Sequence, residues 1–241
     1  MTQTKYITSG GLAFSEEKDM KKLRRFSLKG WHVSDFKLMG YTLEKGESSD
    51  YIYSIDYRWL KGEEDEEYFD LFSTTGWTHV TSEGNIHLFR ARPGTKPIYT
   101  DRDTTVEKYE NSSGLMKNLA IPLVLITALV WGGVMISAGT LKSILIVVAA
   151  ILSAIAFPAA WTAITTYSNK WKAEGRRSLA NFGKIIPFLL LLIAVIFFLF
   201  VGGTDSAADI LTSGVIGAIA LPTAIWIIMS LYHKLRGKRS S

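Results

Sequence analysis

Four long apolar segments occupy the second half of the chain and contain almost no charged residues. Each is long enough to cross a hydrocarbon core of about 30 Å at a helical rise of roughly 1.5 Å per residue. A helix buried in a soluble protein rarely sustains such runs, and four in succession predict an all-α, four-helix transmembrane domain. The predicted spans are residues 119–137, 144–164, 185–201 and 210–231.

The distribution of Lys and Arg predicts the orientation of these spans, because basic loops stay on the cytoplasmic side. The connection after the second span and the tail over residues 233–241 are basic, whereas the first connection has one Lys and the third has no basic residue. Both termini are therefore expected in the cytoplasm of a multi-pass cell-membrane protein. The basic residues are Lys170, Lys172, Arg176, Arg177 and Lys184 in the connection, and Lys234, Arg236, Lys238 and Arg239 in the tail.

The interior of the predicted spans carries no Asp, Glu, Lys, Arg or His. This composition favours a packed helix bundle over an ion or proton pathway, which usually requires such groups. Small residues such as Gly132, Gly133 and Ser153 provide surfaces for close helix contact. A transport path would instead need a polar cavity between helices, and its candidate hydroxyls are Thr127, Thr162, Thr165 and Thr212.

Residues 1–92 alternate between strand and helix patterns and predict a cytosolic α+β domain. Ser15 is an N-cap candidate for the first helix, and the acidic run 63–67 is typical of a solvent-exposed first turn of the second. That acidic run resembles a divalent-cation site only superficially, since a solvated helix start explains it more simply. Strand patterns cover residues 5–14, 31–38, 41–45, 51–59, 77–82 and 86–92, the last two joined by a turn at 83–85.

The clearest strand, residues 51–59, alternates aromatic or aliphatic side chains with polar ones. The apolar face must belong to the core, and Ser54, Asp56 and Arg58 lie on the other face. If no helix covers that second face, this aromatic region would offer a surface for an aromatic ligand or a protein.

An internal repeat with an offset of 46 residues aligns FSLKGW with FSTTGW. In each copy Gly is expected to end a helix in the left-handed conformation, and Trp to begin a strand over the core. The repeat orders the domain as strand, helix, strand, strand, helix, strand, a ferredoxin-like βαββαβ plan with extra strands. The two motifs are Phe26, Ser27, Gly30 and Trp31, and Phe72, Ser73, Gly76 and Trp77.

Residues 93–118 show no apolar periodicity and are rich in turn formers, hydroxyls and mixed charge. This composition predicts a linker between the two domains, with a short helix near residues 106–109.

The net charge of +5 is divided unequally along the chain. Residues 1–117 contain 17 basic and 19 acidic residues, and the remainder contains 10 and 3. The basic excess therefore belongs to the cytoplasmic loops, which favour anionic headgroups, and nucleic-acid binding is not expected. The chain has no Cys, which excludes disulfides, thiolate catalysis and Cys-ligated zinc.

No catalytic, cofactor-binding or metal-binding residue is predicted. His79 and His87 lie in one predicted hairpin and could approach each other, but ordinary strand positions explain them better. The sequence contains no Gly-rich phosphate loop, nucleophile elbow or H-E-x-x-H motif, so an enzyme is not expected. The other two histidines, His32 and His233, also lack metal-ligand spacing.

Three stretches in combination, SEEKDMKKLRRFSLKGW, GYTLEKGESSDYIYSIDYR and FSTTGW, resemble an uncharacterised family classed as a domain of unknown function. The resemblance covers about residues 5–92. It implies a mainly Gram-positive bacterial origin, a cytosolic domain joined to C-terminal membrane helices, and genes that often neighbour PadR-type regulators. The family has no established catalytic residues to carry over.

Two functions remain open from the sequence. The first is a non-enzymatic sensory, regulatory or protein-interaction module anchored to the membrane. The second is a component of membrane transport or of antimicrobial or cell-envelope stress resistance. The expected partners are membrane lipids, a cytosolic protein or small ligand, and a second copy of the chain in a homo-oligomer.

Overall fold

A computed structural model of the chain describes residues 3–37, 40–60 and 64–189, together with Leu192 and Ile227. Contacts divide the described chain after Thr100. The N-terminal unit, up to Thr100, contains the strands, and the helical unit spans Asp101–Leu190.

The N-terminal unit consists of two copies of a strand–helix–strand–strand pattern. An α+β region followed by helices is therefore confirmed. In chain order the elements are β1 (Thr4–Thr8), α1 (Leu12–Ser27), β2 (Trp31–Lys37), β3 (Gly40–Lys45), β4 (Ile52–Tyr57), α2 (Glu64–Thr74), β5 (Thr78–Glu83) and β6 (Ile86–Ala91).

The described strands form two three-stranded antiparallel sheets. The first sheet has the order β1-β3-β2 and the second sheet the order β4-β6-β5. The sheets meet where β2 contacts β5, and there the Thr81 hydroxyl donates to the Asp35 carboxylate at 3.2 Å. Because each half of the repeat builds its own sheet, the ferredoxin-like plan is not confirmed.

The 46-residue offset of the sequence also relates the two halves in space. β3 and β6 are 46 residues apart at both ends. The irregularity in strand pairing between Val33 and Asp35 recurs between His79 and Thr81, so the β-bulge is repeated as well. Thr81 is the repeat equivalent of Asp35, so the hydrogen bond between the two sheets joins equivalent positions of the two halves.

The first strands of the two halves follow a different offset. Lys5 pairs with Leu43 in the first sheet, whereas Ser54 pairs with Phe89, the equivalent of Leu43, in the second. The offset between β1 and β4 is therefore 49 residues. The connection from first strand to helix also differs in length, since residues 9–11 join β1 to α1 and residues 58–63 join β4 to α2.

Both faces of the second sheet are buried. One face contributes to a first core that also contains side chains from α1 and the first sheet, and the other packs against α2 in a second core. The second face of β4 is therefore covered in large part, and Tyr53, Tyr57 and Tyr68 of the aromatic region considered from the sequence are buried, whereas Trp59 is 60% exposed. The first core contains Leu23, Val33, Phe36, Tyr41, Leu43, Tyr53, Ile55, Tyr57 and Leu88, and the second contains Tyr68, Trp77, Phe89 and Ala91.

The first predicted strand is shorter than residues 5–14, because β1 ends at Thr8 and α1 begins at Leu12. Gly11 precedes the helix with a φ of +82°, a conformation that Gly adopts readily. Ser15, the expected N-cap, lies within α1, where its φ of −149° breaks the helical backbone.

Both repeat motifs end their helices in the same way. Gly30 and Gly76 have φ of +70° and +88°, and each donates its N–H at 2.9–3.0 Å to the carbonyl three residues earlier, on Ser27 or Ser73. Trp77, next in the chain, is almost fully buried. The left-handed residue thus turns the chain directly from helix into strand.

The helical unit is built on a hairpin of two long helices, α3 (Arg102–Ile136) and α4 (Gly139–Ala173). Residues 177–189 are also helical and approach α4 closely, with the Phe188 ring centroid 5.4 Å from that of Trp161. The most apolar windows of α3 and α4 have mean hydropathies of 2.4 and 2.5, and only 11% of each window is buried. Two helices of this length and exposure indicate membrane association.

The predicted spans 119–137 and 144–164 lie within α3 and α4. Of the predicted span 185–201, residues 185–189 and Leu192 are described and helical. The rest of that span, and all of 210–231 except Ile227, lies outside the described residues. A four-helix transmembrane domain is therefore not confirmed.

The predicted linker 93–118 differs from the structure, since α3 already begins at Arg102. The Asp101 carboxylate accepts a hydrogen bond from the Thr104 amide at 2.9 Å, which caps the helix. The Lys170 ammonium lies 3.0 Å from the Glu110 carboxylate and ties this polar extension to α4. A cap and a partner helix stabilise a segment whose own sequence has no apolar periodicity.

Replacement of Gly30 by Ala should lower the free energy of unfolding more than replacement of Gly76. Both changes force a left-handed Ala, at a cost of about 1–2 kcal/mol. A Cβ on Gly30 would in addition collide with the Gly46 carbonyl, whereas one on Gly76 would meet Thr95 Cγ2 at 3.4 Å. Urea midpoints from pulse proteolysis of the full-length protein in nanodiscs measure the difference, and equal midpoints would contradict it.

Candidate functional site

The face of the second sheet beneath α2 carries a buried polar cluster. Asp56 of β4 and His87 of β6 are directly paired across the strands, and their side chains are 6% and 3% exposed. Tyr68 of α2 lies over both, with its ring centroid 5.4 Å from that of His87. We call this group, completed by Tyr99 and described below, the Asp56 cluster.

The Asp56 carboxylate is bound by donors from three segments. Its Oδ2 accepts from the Tyr68 hydroxyl, and its Oδ1 accepts from the Tyr99 hydroxyl and from the Tyr57 amide. Hydrogen bonds to an ionised acceptor are stronger than those between neutral groups. Asp56 therefore ties α2 and the segment after β6 to the second sheet.

A chain of hydrogen bonds extends from His87 to the protein surface. His87 Nε2 lies 2.8 Å from the Arg58 carbonyl oxygen, which can only accept, so this nitrogen carries the proton. His87 Nδ1 then accepts from the Ser82 hydroxyl at 2.7 Å. His79 Nε2 lies 2.8 Å from the same hydroxyl and can donate to it. With this assignment each polar side-chain hydrogen in this series of hydrogen bonds has an acceptor.

The surroundings of these groups favour their neutral forms. Burial raises the pKa of Tyr68 and of Tyr99, and the negative charge of Asp56 raises both further. Burial, followed by the nearby His87, lowers the pKa of His79, whose ring stacks on Phe69 at 3.9 Å between centroids. Both phenols therefore remain donors over the physiological pH range.

The segment 93–100, which we call the strap, follows β6 and packs on the second sheet. Hydrogen bonds to the sheet help to hold it, since the Tyr99 hydroxyl donates to Asp56 and the Trp77 indole N–H donates to the Lys96 carbonyl at 2.9 Å. Ile98 adds an apolar contact to the second core. The strap leads into α3, which begins only three residues after Tyr99.

A cavity of about 260 Å³ lies between the strap and β4. Its walls are mostly apolar or aromatic, and the Ser54 side chain contributes a hydroxyl. The cavity is not enclosed and opens to solvent. The lining residues are Ile52, Tyr53, Ser54, Trp77, Pro97, Ile98 and Tyr99.

The two repeat motifs occupy different surroundings. The Ser27 hydroxyl is fully buried, donates to the Ser49 carbonyl at 2.7 Å and lies 3.1 Å from His32 Nδ1. Ser73 is exposed. Of the tryptophans, Trp77 lines the cavity, whereas Trp31 lies under two lysine side chains. The structure thus brings only the second motif to the Asp56 cluster and the strap.

The described basic residues after the second predicted span lie around the end of α4. Lys170 contacts Glu110 and Glu174, and Arg176 contacts Glu174 at 3.6 Å. Lys172, Arg177 and Lys184 are exposed. Lys234, Arg236, Lys238 and Arg239 lie outside the described residues, as does His233.

In residues 3–37, 40–60 and 64–189, no three His, Asp or Glu side chains converge as metal ligands would. The acidic start of α2 is consistent with this result, since Glu66 and Glu67 are exposed. His79 and His87 do approach each other, with ring centroids 6.4 Å apart, but the Ser82 hydroxyl lies between them.

Sequence reasoning missed Asp56 as a member of a site, because alternation assigned it to a polar outer face. It also missed Tyr99, which lies in an aperiodic segment. Both residues could have been found if β4 had been recognised as a strand with two buried faces. An acidic side chain in such a strand is buried and requires hydrogen-bond donors.

Residues 15–121 match a family described as "Protein of unknown function (DUF2812)". This match confirms an uncharacterised domain of unknown function in the chain. It starts within α1 and continues into α3, so it extends past the boundary at residue 92 expected from the sequence. No curated protein and no solved structure matches the chain.

Acidification should destabilise the N-terminal unit in part through His79. The pKa of this residue is lower in the folded protein than its ordinary value of 6.5, so the unfolded chain takes up the proton first. The stabilisation is therefore complete above pH 6.5 and is lost as the pH falls below it. Urea midpoints at pH 7.5 and 5.5 should differ less for His79→Gln than for the wild type. An equal loss in both proteins would show that His79 does not contribute.

Proposed function

We propose that this protein is a multi-pass membrane protein whose cytosolic N-terminal unit is a non-enzymatic regulatory module. The unit would bind a small ligand or a partner protein and pass the binding event to the membrane helices. The observation that carries the proposal is the strap, which is fixed to the second sheet by hydrogen bonds and leads directly into α3.

The strap has the properties required of a coupling element. Its residues are exposed or only partly buried, so a ligand with a modest difference in affinity for its bound and released forms would shift the balance between them. Its release would free the residues just before the cap of α3 at Asp101. Segments with few tertiary contacts are those from which moving elements are drawn.

Among the described residues, one pair of side chains could suggest enzymatic activity, but the surroundings of that pair do not favour it. Ser82 and His87 are at the distance of a nucleophile and its base. The Ser82 hydroxyl, however, also faces His79, and His87 Nε2 is bonded to the Arg58 carbonyl, so the pair is part of a longer chain of hydrogen bonds. We therefore propose a structural role for this chain of hydrogen bonds.

Transport, the alternative function, lacks a supporting observation in the described helices. The Thr127, Thr162 and Thr165 hydroxyls each donate to the carbonyl four residues earlier in their own helix, at 2.7–2.9 Å. A hydroxyl bonded in this way is satisfied without a polar cavity. Thr212, the fourth candidate, lies outside the described residues.

The remaining partners follow from the same proposal. Lys172, Arg177 and Lys184 would face anionic lipid headgroups on the cytoplasmic side. Small residues on the helices would allow a homo-oligomer to form, and nucleic acid is not a proposed partner. From the resemblance to a mainly Gram-positive bacterial family with PadR-type neighbours, we propose that the module acts in bacterial regulation.

The proposed orientation can be tested with single cysteines, since the natural chain has none. In right-side-out membrane vesicles an impermeant maleimide should label Ala138→Cys in the connection between α3 and α4. It should label Arg177→Cys only after the vesicles are opened. The reverse pattern would invert the topology and remove the N-terminal unit from the cytoplasm.

Coupling through the strap can be tested by hydrogen exchange on the full-length protein in nanodiscs. Tyr99→Phe removes one bond of the strap to a carboxylate, worth about 1.5–3 kcal/mol, so amides at the start of α3 should exchange about tenfold faster or more. Tyr68→Phe is the matched control, because it removes the other phenol from Asp56 but leaves the strap bound. Unchanged exchange at the start of α3 in Tyr99→Phe would exclude coupling by this route.

A further inference from the structure

The first half of the repeat places an ammonium group between two aromatic rings. Lys5 Nζ lies 4.2 Å from the centroid of the Phe26 ring and 3.9 Å from that of Trp31. Lys45, paired with Trp31 across the strands, brings a second ammonium to 5.3 Å from the same Trp ring. Attraction between a cation and an aromatic ring is significant at such distances.

The second half keeps the rings and loses the ammonium groups. The 46-residue offset makes Phe72 and Trp77 the equivalents of Phe26 and Trp31. Strand pairing makes Ser54 the equivalent of Lys5, because their partners Phe89 and Leu43 are themselves equivalent. Ala91 replaces Lys45. Two long cationic side chains are thus replaced by two short ones.

The space left by these replacements is the cavity beneath the strap. Ser54 and Trp77, two of the four equivalent positions, line it directly. The Trp77 ring is almost fully buried and its orientation is fixed by the hydrogen bond to the Lys96 carbonyl. The cavity, at about 260 Å³, is suited to a ligand smaller than most drug-sized molecules.

The charges around the cavity suit a cationic occupant. Of the described residues that line it, none carries a positive charge, and Trp77 and Tyr99 contribute aromatic side chains. The Tyr53 ring belongs to the first core, on the opposite face of the sheet. Tyr99 belongs both to this wall and to the Asp56 cluster, where it donates to a buried carboxylate. That carboxylate lies two residues from Ser54 along β4, so its negative charge is close to the cavity.

We propose that this cavity binds a small organic cation, an amine or quaternary ammonium compound, in the position that the Lys5 side chain fills in the first half. Aromatic side chains are the usual walls of quaternary ammonium sites. The inference rests on the proposed function, for which it names the class of ligand. Since the strap forms one wall, the bound cation would act on the segment that leads into α3.

Calorimetric titration of the full-length protein with choline tests the proposal. The nanodiscs should contain phosphatidylglycerol alone, so that the lipid supplies no choline. The matched ligand is the neutral isostere of choline, in which a carbon atom replaces the ammonium nitrogen. Choline should bind, and the isostere should bind about tenfold more weakly, since it lacks the attraction to the rings. Absence of choline binding, or equal affinity for both ligands, would overturn the proposal.

Two pairs of variants locate the site. Ser54→Lys restores the side chain of the first half and should abolish choline binding, whereas Lys5→Ser should leave it unchanged. Trp77→Phe should weaken binding severalfold, and Trp31→Phe, the same change in the first half, should not. Pulse proteolysis of each variant shows whether it is folded, and the tryptophan pair decides the question if Ser54→Lys is not. Choline binding that survives in a folded Ser54→Lys variant, or that has wild-type affinity in Trp77→Phe, would overturn the assignment.

The two proposals can fail separately. Exchange at the start of α3 is measured without any ligand, so it reports on the strap alone. Faster amide exchange at the start of α3 in Tyr99→Phe, together with no binding of choline, would overturn the proposed cationic ligand. The proposed regulatory role would be unaffected.

Discussion

The buried carboxylate of Asp56 is the constraint on which the N-terminal unit depends. An ionised carboxylate removed from water is costly unless hydrogen-bond donors surround it. Here the donors come from α2, from the strap and from the backbone of β4 itself. Loss of any one donor would leave the buried carboxylate less fully hydrogen-bonded. A single side chain therefore holds three segments in place, namely β4, α2 and the strap.

The first half of the repeat meets a similar constraint in another place. Asp19 of α1 is 3% exposed and accepts hydrogen bonds from the Ser9 hydroxyl, the Gly10 amide and the Tyr41 hydroxyl. Its carboxylate fixes the connection between β1 and α1, whereas Asp56 fixes the strap. The two halves therefore share a backbone plan but use their buried acids to hold different segments.

Patterns that depend on neighbours in the chain were predictable from the sequence. The hairpin of β5 and β6, the left-handed Gly residues at 30 and 76 and the apolar lengths of α3 and α4 all follow from local sequence. The extension of α3 back to Arg102 was not predictable, because Asp101 supplies the cap and α4 supplies the partner for Glu110. The division into two sheets depends equally on long-range pairing.

The candidate site was less predictable than the fold. Period-two alternation places Asp56 on the side opposite Tyr53 and Ile55, as the structure does, but cannot show that α2 covers that side as well. Tyr99 belongs to a segment whose sequence is typical of a loop. Its role depends on where a distant carboxylate lies, and no spacing in the chain encodes that distance.

The unequal offsets of the repeat show where the chain can tolerate a change of length. From the ends of the helices to the last strands, including the bulge, equivalent positions of the two halves are 46 residues apart. The connections from first strand to helix, in contrast, differ in length by three residues. An insertion in a strand reverses the direction of every following side chain, but one in this connection leaves both sheets in register. The connection between β4 and α2 is thus the natural position for a reporter or affinity tag that preserves the fold.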